Sequence, residues 1–332
     1  VVDFSVNVNP FGPTPRVRDA VLAAPIHQYP DPESWLVRRA LGARFDRPPE
    51  EIAVGNGACE LLWTLAKLLH RPGDIAITVD PTFSEYAAAA RSAGAAVYSV
   101  RADETTHFAF PAEQLIRQAK ARKANSVYLC CPTSPLGQLI ETDVLRVVAQ
   151  QIYPCRLIVD ESFLSLSEEA KDRIPLTGKN IINVRSLTKE LGTPGVRIGY
   201  LMAEAKTVAG LDEHRAKWTV SSAAQAATVA SLGDDEALAI SRVRLSKLRT
   251  RLFSLLASHR FRPFSSDANY LTARSPVPVP LLQARLLTEH QIMVRDCASF
   301  GLPRCARFAV RPEHELSLLD AALSHVLGGN EP

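Results

Sequence analysis

Ile181-Ile182-Asn183-Val184-Arg185-Ser186-Leu187-Thr188-Lys189 is an apolar run that ends in a hydroxyl and a lysine. Eight residues on, Arg197 sits in the Gly-flanked turn Gly195-Val196-Arg197-Ile198-Gly199-Tyr200. Four earlier segments have the same build. Ile52-Ala53-Val54 runs into Gly55-Asn56-Gly57-Ala58-Cys59-Glu60, and Ile75-Ala76-Ile77-Thr78-Val79 into Asp80-Pro81-Thr82-Phe83. Val127-Tyr128-Leu129-Cys130 runs into Cys131-Pro132-Thr133-Ser134-Pro135-Leu136-Gly137, and Leu157-Ile158-Val159 into Asp160-Glu161-Ser162-Phe163. Continuous apolar strands that alternate with helical pattern predict an α/β fold with a mostly parallel sheet covered on both faces. Ligands of such sheets sit outside the carboxyl ends of the strands. The five clusters are therefore expected to converge on one site.

Outward from this core the pattern changes. Residues 1–30 are irregular and Pro-rich, with one helix expected from Pro15 through Leu22 and another over roughly Ser34 to Phe45. After about Ala223 a helical pattern continues to Ser258, with Arg242, Arg244, Lys247 and Arg249 read as a solvated face. Short strands follow around Asn269 to Thr272, Ile292 to Val294 and Arg307 to Val310, with Ser275 to Pro280 as a loop. This order predicts a smaller α+β domain. The expected division is a large cofactor-binding domain over 30–225, with 1–29 and 226–332 forming an N-terminal arm and the small C-terminal domain.

Composition narrows the function. The 332 residues are 46% hydrophobic and 22% charged, with a net charge of +3. Such a balance, with no basic block, disfavours nucleic acid. No apolar run approaches the about 20 residues that span a bilayer, and Val1-Val2-Asp3-Phe4 does not read as a signal peptide. Six cysteines without a C-x-x-C pair fit reduced thiols in a cytoplasm. The eight histidines show no ligand spacing, so no metal site is expected.

Each candidate residue has a plain reading and a chemical one. Lys189 is either a surface lysine or an amine that forms a Schiff base with an aldehyde. Ser186 and Arg197 can grip a phosphate, and pyridoxal phosphate combines both groups. Gly57, Ala58 and Cys59 open a helix, whose N–H groups are either an ordinary turn or a phosphate cradle. Asp160 ends an apolar strand, where a carboxylate is costly unless paired. It caps a helix or pairs with a protonated pyridine nitrogen. Phe83 packs in the core or stacks on a ring. Arg307 suits bidentate grip of a carboxylate. Arg295 pairs with Asp296 at the surface or meets a second anion.

Taken together these residues resemble the fold-type-I pyridoxal-phosphate enzymes, the aspartate-aminotransferase superfamily. Within it the chain is similar to histidinol-phosphate aminotransferase and threonine-phosphate decarboxylase, from Asp3 to about Arg311. The opening Asp3-Phe4-Ser5-Val6-Asn7-Val8-Asn9-Pro10-Phe11-Gly12-Pro13, Val294-Arg295-Asp296-Cys297 and Arg307-Phe308-Ala309-Val310-Arg311 carry the likeness to the decarboxylase. The lysine segment is common to both. The resemblance implies Lys189 as the Schiff-base lysine and proton shuttle, with Asp160 as the pyridinium partner. It makes Ser186, Arg197, Gly57, Ala58 and Cys59 the phosphate ligands and Phe83 the stacking ring. Tyr29 would reach the cofactor phosphate of a neighbouring subunit, which implies a homodimer. Arg307 would hold the substrate carboxylate and Arg295 a substrate phosphate, with Asn9 also at the substrate. Two positions depart from the family. Ser134 stands where an asparagine normally donates to the cofactor's phenolic oxygen. Phe163 stands where the aminotransferase has a tyrosine and the decarboxylase tolerates phenylalanine. The implied activity is pyridoxal-phosphate-dependent transamination of a small amino acid or amine, phosphorylated or not. Decarboxylation of a phosphorylated amino acid is the first alternative, and a weakly catalytic cofactor-binding relative the second.

Overall fold

In the computed structural model, which describes residues 1–169 and 171–328, thirteen strands appear in chain order. They are β1 (Val2–Asp3), β2 (Ile52–Gly55), β3 (Ile75–Asp80), β4 (Ala96–Arg101), β5 (Ser126–Cys130), β6 (Arg156–Asp160) and β7 (Ile181–Ser186). The others are β8 (Gly199–Met202), β9 (Arg262–Pro263), β10 (Tyr270–Arg274), β11 (Ile292–Met293), β12 (Arg295–Asp296) and β13 (Cys305–Ala309). β2 to β8 form one seven-stranded sheet in the order β2-β8-β7-β6-β5-β3-β4. Pairings among β3, β4, β5, β6 and β7 are parallel. Only β8 runs against its neighbours, β7 and β2.

Side-chain alternation explains why this sheet is covered twice. Ala76, Tyr128, Ile158 and Ile182 face one layer, where they meet Leu61, Leu62 and Leu65 of the helix Gly57–Leu69 and Tyr86 of the helix Glu85–Ser92. Ile77, Val79, Val127, Leu129, Leu157 and Val159 face the other, against Leu115 of the helix Ala112–Arg122 and Leu145 and Val148 of the helix Thr142–Ile152. Both faces of a central strand are dry, which is why the strands read as unbroken apolar runs.

A four-stranded antiparallel sheet, β12-β13-β10-β9, forms the second layer system. Its core joins Phe308, Leu271 and Ala306 to Leu252, Leu255 and Leu256 of the helix Asp235–Ser258, and to Leu282, Leu286, Leu316 and Leu319. β1 pairs in parallel with β11, so the start of the chain is tied to its last third.

The helix Pro15–Leu22 has the expected limits, with Pro at its first turn and Thr14 Oγ1 accepting from Val17 N at 3.3 Å. The other expected helix spans Trp35–Phe45. The long helical stretch is two helices, Ser222–Ser231 and Asp235–Ser258. The arginines on the second were read as solvated, yet Arg249 is tucked against Glu169 and the Ala268 carbonyl, and Arg244 lies over the Phe11 ring at 3.7 Å. Arginine stems cover apolar surface while their heads find partners. Two strands of the large sheet escape a reading by apolar runs. β4 is an edge strand with one face open to water, and β8 begins inside the segment read as a turn.

Phe308 is wholly buried in the smaller core. Phe308→Ala is expected to cost about 3–5 kcal/mol of unfolding free energy, measured by denaturant titration against the wild-type chain.

Candidate active site

β8 runs antiparallel to both β7 and β2, so β2 points the same way as β3, β5, β6 and β7. The carboxyl ends of all five therefore meet at one edge, where a cavity of about 590 Å³ opens. Ala58, Cys59, Phe83, Ser134, Asp160, Ser186, Lys189 and Arg197 line it from the large sheet, and Arg295 and Arg307 from the smaller one. Ten of the sequence-chosen residues thus share one space.

Asp160 forms the floor. Its Oδ2 accepts from the Tyr128 hydroxyl at 2.8 Å and its Oδ1 from Ser162 N at 3.0 Å. Only 5% of its surface is exposed, and these two donors offset the loss of water. Burial, followed by the charge of Asp160, raises the Tyr128 phenol well above its ordinary range, so it stays protonated and keeps donating. The Cys130 thiol beside it is pushed up to about 12 by burial and by Asp160.

Lys189 sits in the single turn Leu187–Glu190 that follows β7. Its Nζ lies 4.9 Å from the centre of the Phe163 ring. Burial lowers its pKa, Arg197 and Arg307 push the same way, and Asp160 opposes them. The N-terminal arm fixes this turn from outside: Asn9 N donates to Lys189 O at 2.8 Å, and Asn9 Nδ2 to Glu190 O at 3.1 Å.

The helix Gly57–Leu69 starts at the end of β2 without a side-chain cap, which leaves its first N–H groups free for a ligand. Gly57 has φ +79°, and a Cβ there would stand 2.5 Å from Arg197 Nη2. A Cβ on Gly199 would stand 2.4 Å from Ala58 N. Glycine at both positions lets the guanidinium and the β8 backbone approach the helix start.

Arg307 lies over the Tyr270 ring at 5.2 Å. It donates to Ser5 O at 3.3 Å. With the Asn7 amide oxygen turned toward it, Arg307 also donates from Nε at 3.0 Å and Nη2 at 3.2 Å. Arg295 does not pair with Asp296. Its Nη2 donates to Ser299 Oγ at 3.0 Å, while Asp296 accepts from Ala298 N. Ser134 is buried at the wall beside Tyr270, whose hydroxyl donates to Thr133 O at 2.9 Å. Tyr270 also meets Phe163 edge-on at 4.9 Å.

Three sequence-chosen residues lie elsewhere. Asn9 is outside the cavity and holds the lysine turn, while Asn7, two residues earlier, lies at Arg307. The arm has no regular period here, with bends around Ser5 and Val8, so sequence cannot tell which asparagine meets Arg307. Gly57 is behind Arg197 and does not line the cavity. Tyr29 is 85% exposed, against Trp218 at 5.5 Å, and away from this cavity. Tyr128 and Tyr270 were missed because each sits within a strand where an aromatic is ordinary core.

The sequence profile of the aminotransferase class I and II family matches residues 1–326. The chain belongs to that family. A histidinol-phosphate aminotransferase of Symbiobacterium thermophilum is 29% identical over 333 residues, covering 99% of this chain and 91% of its own. A threonine-phosphate decarboxylase of Salmonella typhimurium is 30% identical over 344 residues, covering 100% and 93%. The crystal structure of histidinol-phosphate aminotransferase from Sinorhizobium meliloti in complex with pyridoxal-5'-phosphate matches with a TM-score of 0.91 at 25% identity, over 100% of this chain and 92% of that one. The fold is thus aspartate-aminotransferase-like. The cofactor of this family is pyridoxal phosphate. The donor set fits it: an uncapped helix start with Arg197 for a phosphate, a buried carboxylate for a ring nitrogen and an amine of lowered pKa for the aldehyde.

Two outcomes follow. Tyr128→Phe removes one of the two donors to Asp160, about 1–3 kcal/mol of support for the carboxylate; cofactor retention on dialysis should fall and the visible band of the bound cofactor should shift. For Lys189, the lowered pKa means that the uncharged amine persists at lower pH than in a free lysine. The rate at which cofactor-free protein takes up the aldehyde should rise with pH and level off below 10.5, the ordinary lysine value. A midpoint at or above 10.5 in stopped-flow absorbance would contradict the geometry.

Proposed function

We propose that this chain is a pyridoxal-phosphate-dependent aminotransferase acting on a small amino acid that carries a phosphate. The observation that carries this reading is the pair of arginines, Arg307 and Arg295, in the cavity that also holds Lys189. Two guanidinium groups, from β12 and β13, fit a ligand that carries a phosphate, with or without a carboxylate beside it. Arg307, braced by Ser5 and Asn7, would take the carboxylate. Arg295, nearer the rim with Ser299, would take the phosphate.

Pyridoxal phosphate, when bound, supplies an electron sink for the bond broken at the substrate's α-carbon. The chain supplies the rest. Arg197, Ser186 and the N–H groups of Ala58 and Cys59 would hold the phosphate, Phe83 would pack on the ring face, and the Asp160 carboxylate would meet the ring nitrogen. Lys189 would be the attachment point, and its Nζ would take the proton from the substrate's α-carbon and deliver it to the carbon of the cofactor's aldehyde group.

Phe163 favours decarboxylation as a second reading. Its ring lies beside Lys189 and Tyr270 and offers no hydroxyl. With its carboxylate held by Arg307, the substrate would lose CO2 in place of a proton, the electron pair passing to the cofactor's sink. We further propose a homodimer in a cytoplasm. Support comes from Leu22, Ile26, Tyr29 and Trp218, each more than half exposed, and from six free cysteines. No helix among the described residues is long and apolar enough to cross a membrane.

A donor screen that measures keto acid and CO2 together separates the readings. Keto acid without CO2 from phosphorylated amino acids supports transamination; CO2 from O-phosphothreonine without keto acid replaces it with decarboxylation. Histidinol phosphate, a phosphorylated amine without a carboxylate, belongs in the same screen, because the reading extends to phosphorylated amines of that kind. Lys189→Ala should lower either activity by about 10²–10⁴-fold or more. Arg295→Ala should cut the preference for phosphorylated over unphosphorylated substrate by about tenfold or more, the equivalent of 1.4 kcal/mol; an unchanged ratio of kcat/KM values would remove the phosphate role.

A further inference from the structure

A second cavity, of about 420 Å³, lies on the smaller sheet and is lined by Arg260, Arg262, Arg274, Arg304, Ser275 and Pro276. It shares no lining residue with the active-site cavity. Its cations come from separate parts of the chain. Arg260 ends the turn after the helix Asp235–Ser258, Arg262 is on β9, Arg274 closes β10, and Arg304 precedes β13. Arg262 and Arg274 are direct cross-strand partners, a placement in which like charges repel. Ser275 N donates to Arg304 O at 2.9 Å, which brings the fourth strand end into the group. Arg260 has φ +65°, in a position after a helix where glycine or asparagine is the comfortable choice. Glu104 pairs with Arg274. Among the described residues Arg260, Arg262 and Arg304 make no ion pair.

We propose that this cavity binds a compact polyanion, a diphosphate or triphosphate group either free or carried by a nucleoside. Three unpaired guanidinium groups exceed what one phosphate needs, and the volume lies in the 300–1,000 Å³ range of small-molecule sites. Guanidinium forks match phosphate oxygens two at a time. Glu104 already offsets the charge of Arg274, so the cations left for an anion are Arg260, Arg262 and Arg304.

The test uses the cofactor-loaded full chain, so that the cofactor's phosphate site is filled, and calorimetric titration with pyrophosphate, ADP, AMP and orthophosphate. Pyrophosphate and ADP should bind, with AMP and orthophosphate at least tenfold weaker. Tighter binding of ADP than of pyrophosphate assigns the group to a nucleoside, and the reverse assigns it to the free ion. Arg262→Gln/Arg304→Gln changes two exposed side chains, so its Tm should match wild type while its pyrophosphate affinity falls at least tenfold. Arg295→Ala should keep that affinity. The proposal is overturned if pyrophosphate gives no signal, or if the double variant binds as wild type does. Loss of binding in Arg295→Ala alone, or capture of an acidic peptide without any response to pyrophosphate, overturns it equally.

Discussion

Everything in this molecule hangs on a carboxylate placed at the dry end of a parallel strand. Asp160 could not stay charged there on its own. Tyr128, one strand over in β5, and the backbone of Ser162 supply the two hydrogen bonds that hold it. The register makes this possible: Cys130 is directly opposite Asp160, so Tyr128 on the same face, two residues earlier, reaches the carboxylate with its long side chain. The strand ends of β2 and β7 then bring a helix start and a lysine to the same edge. The sheet thus fixes a carboxylate, an amine and a phosphate cradle without any loop having to find them.

The smaller sheet does a different job. It brings arginines, not cofactor ligands, and does so by register. Arg307 and Arg295 are direct partners across β12 and β13, close enough to act on one ligand. Two like charges side by side are unfavourable without an anion. The N-terminal arm joins the systems: its backbone pairs with β11, Asn9 grips the lysine turn, and Asn7 braces Arg307. An arm that reads as irregular in sequence is therefore the link between Lys189 and Arg307.

Much of this was legible because it is local. Apolar runs ending in Gly, Asp, Ser or Lys are visible residue by residue, and five of the seven large-sheet strands announce themselves that way. β4 is an edge strand in which only Val100 is buried, and β8 opens on Gly199 inside a segment that reads as a turn, so neither stands out as such a run. The contacts that needed the third dimension were those between strands. Nothing near Tyr128 in sequence says that Asp160, 32 residues on, is its partner. Asn7 and Asn9 look alike in an irregular arm, and only the packing tells which one meets Arg307. Tyr29 was picked out by resemblance alone, and its exposure leaves it to act on another molecule or on none.

The charge pattern of the cavity explains why altered tuning residues leave its ligand class intact. Asp160 and Glu85 are the carboxylates in its lining, and Glu85 is engaged by the Trp63 indole at 2.8 Å. Against them stand Arg197, Arg295 and Arg307, with Lys189 held toward its neutral form by burial and by the arginines themselves. The surplus is positive and focused in a space with low-dielectric walls, which raises the local concentration of anions. Ser134 and Phe163, which the resemblance sets against an asparagine and a tyrosine, are uncharged and leave this field unchanged. Such changes act on how electrons are steered after the ligand arrives. The arginines decide what arrives, and an anion bound beside Lys189 also opposes their effect on its pKa. Ligand charge and lysine basicity are in this way coupled through Arg197 and Arg307.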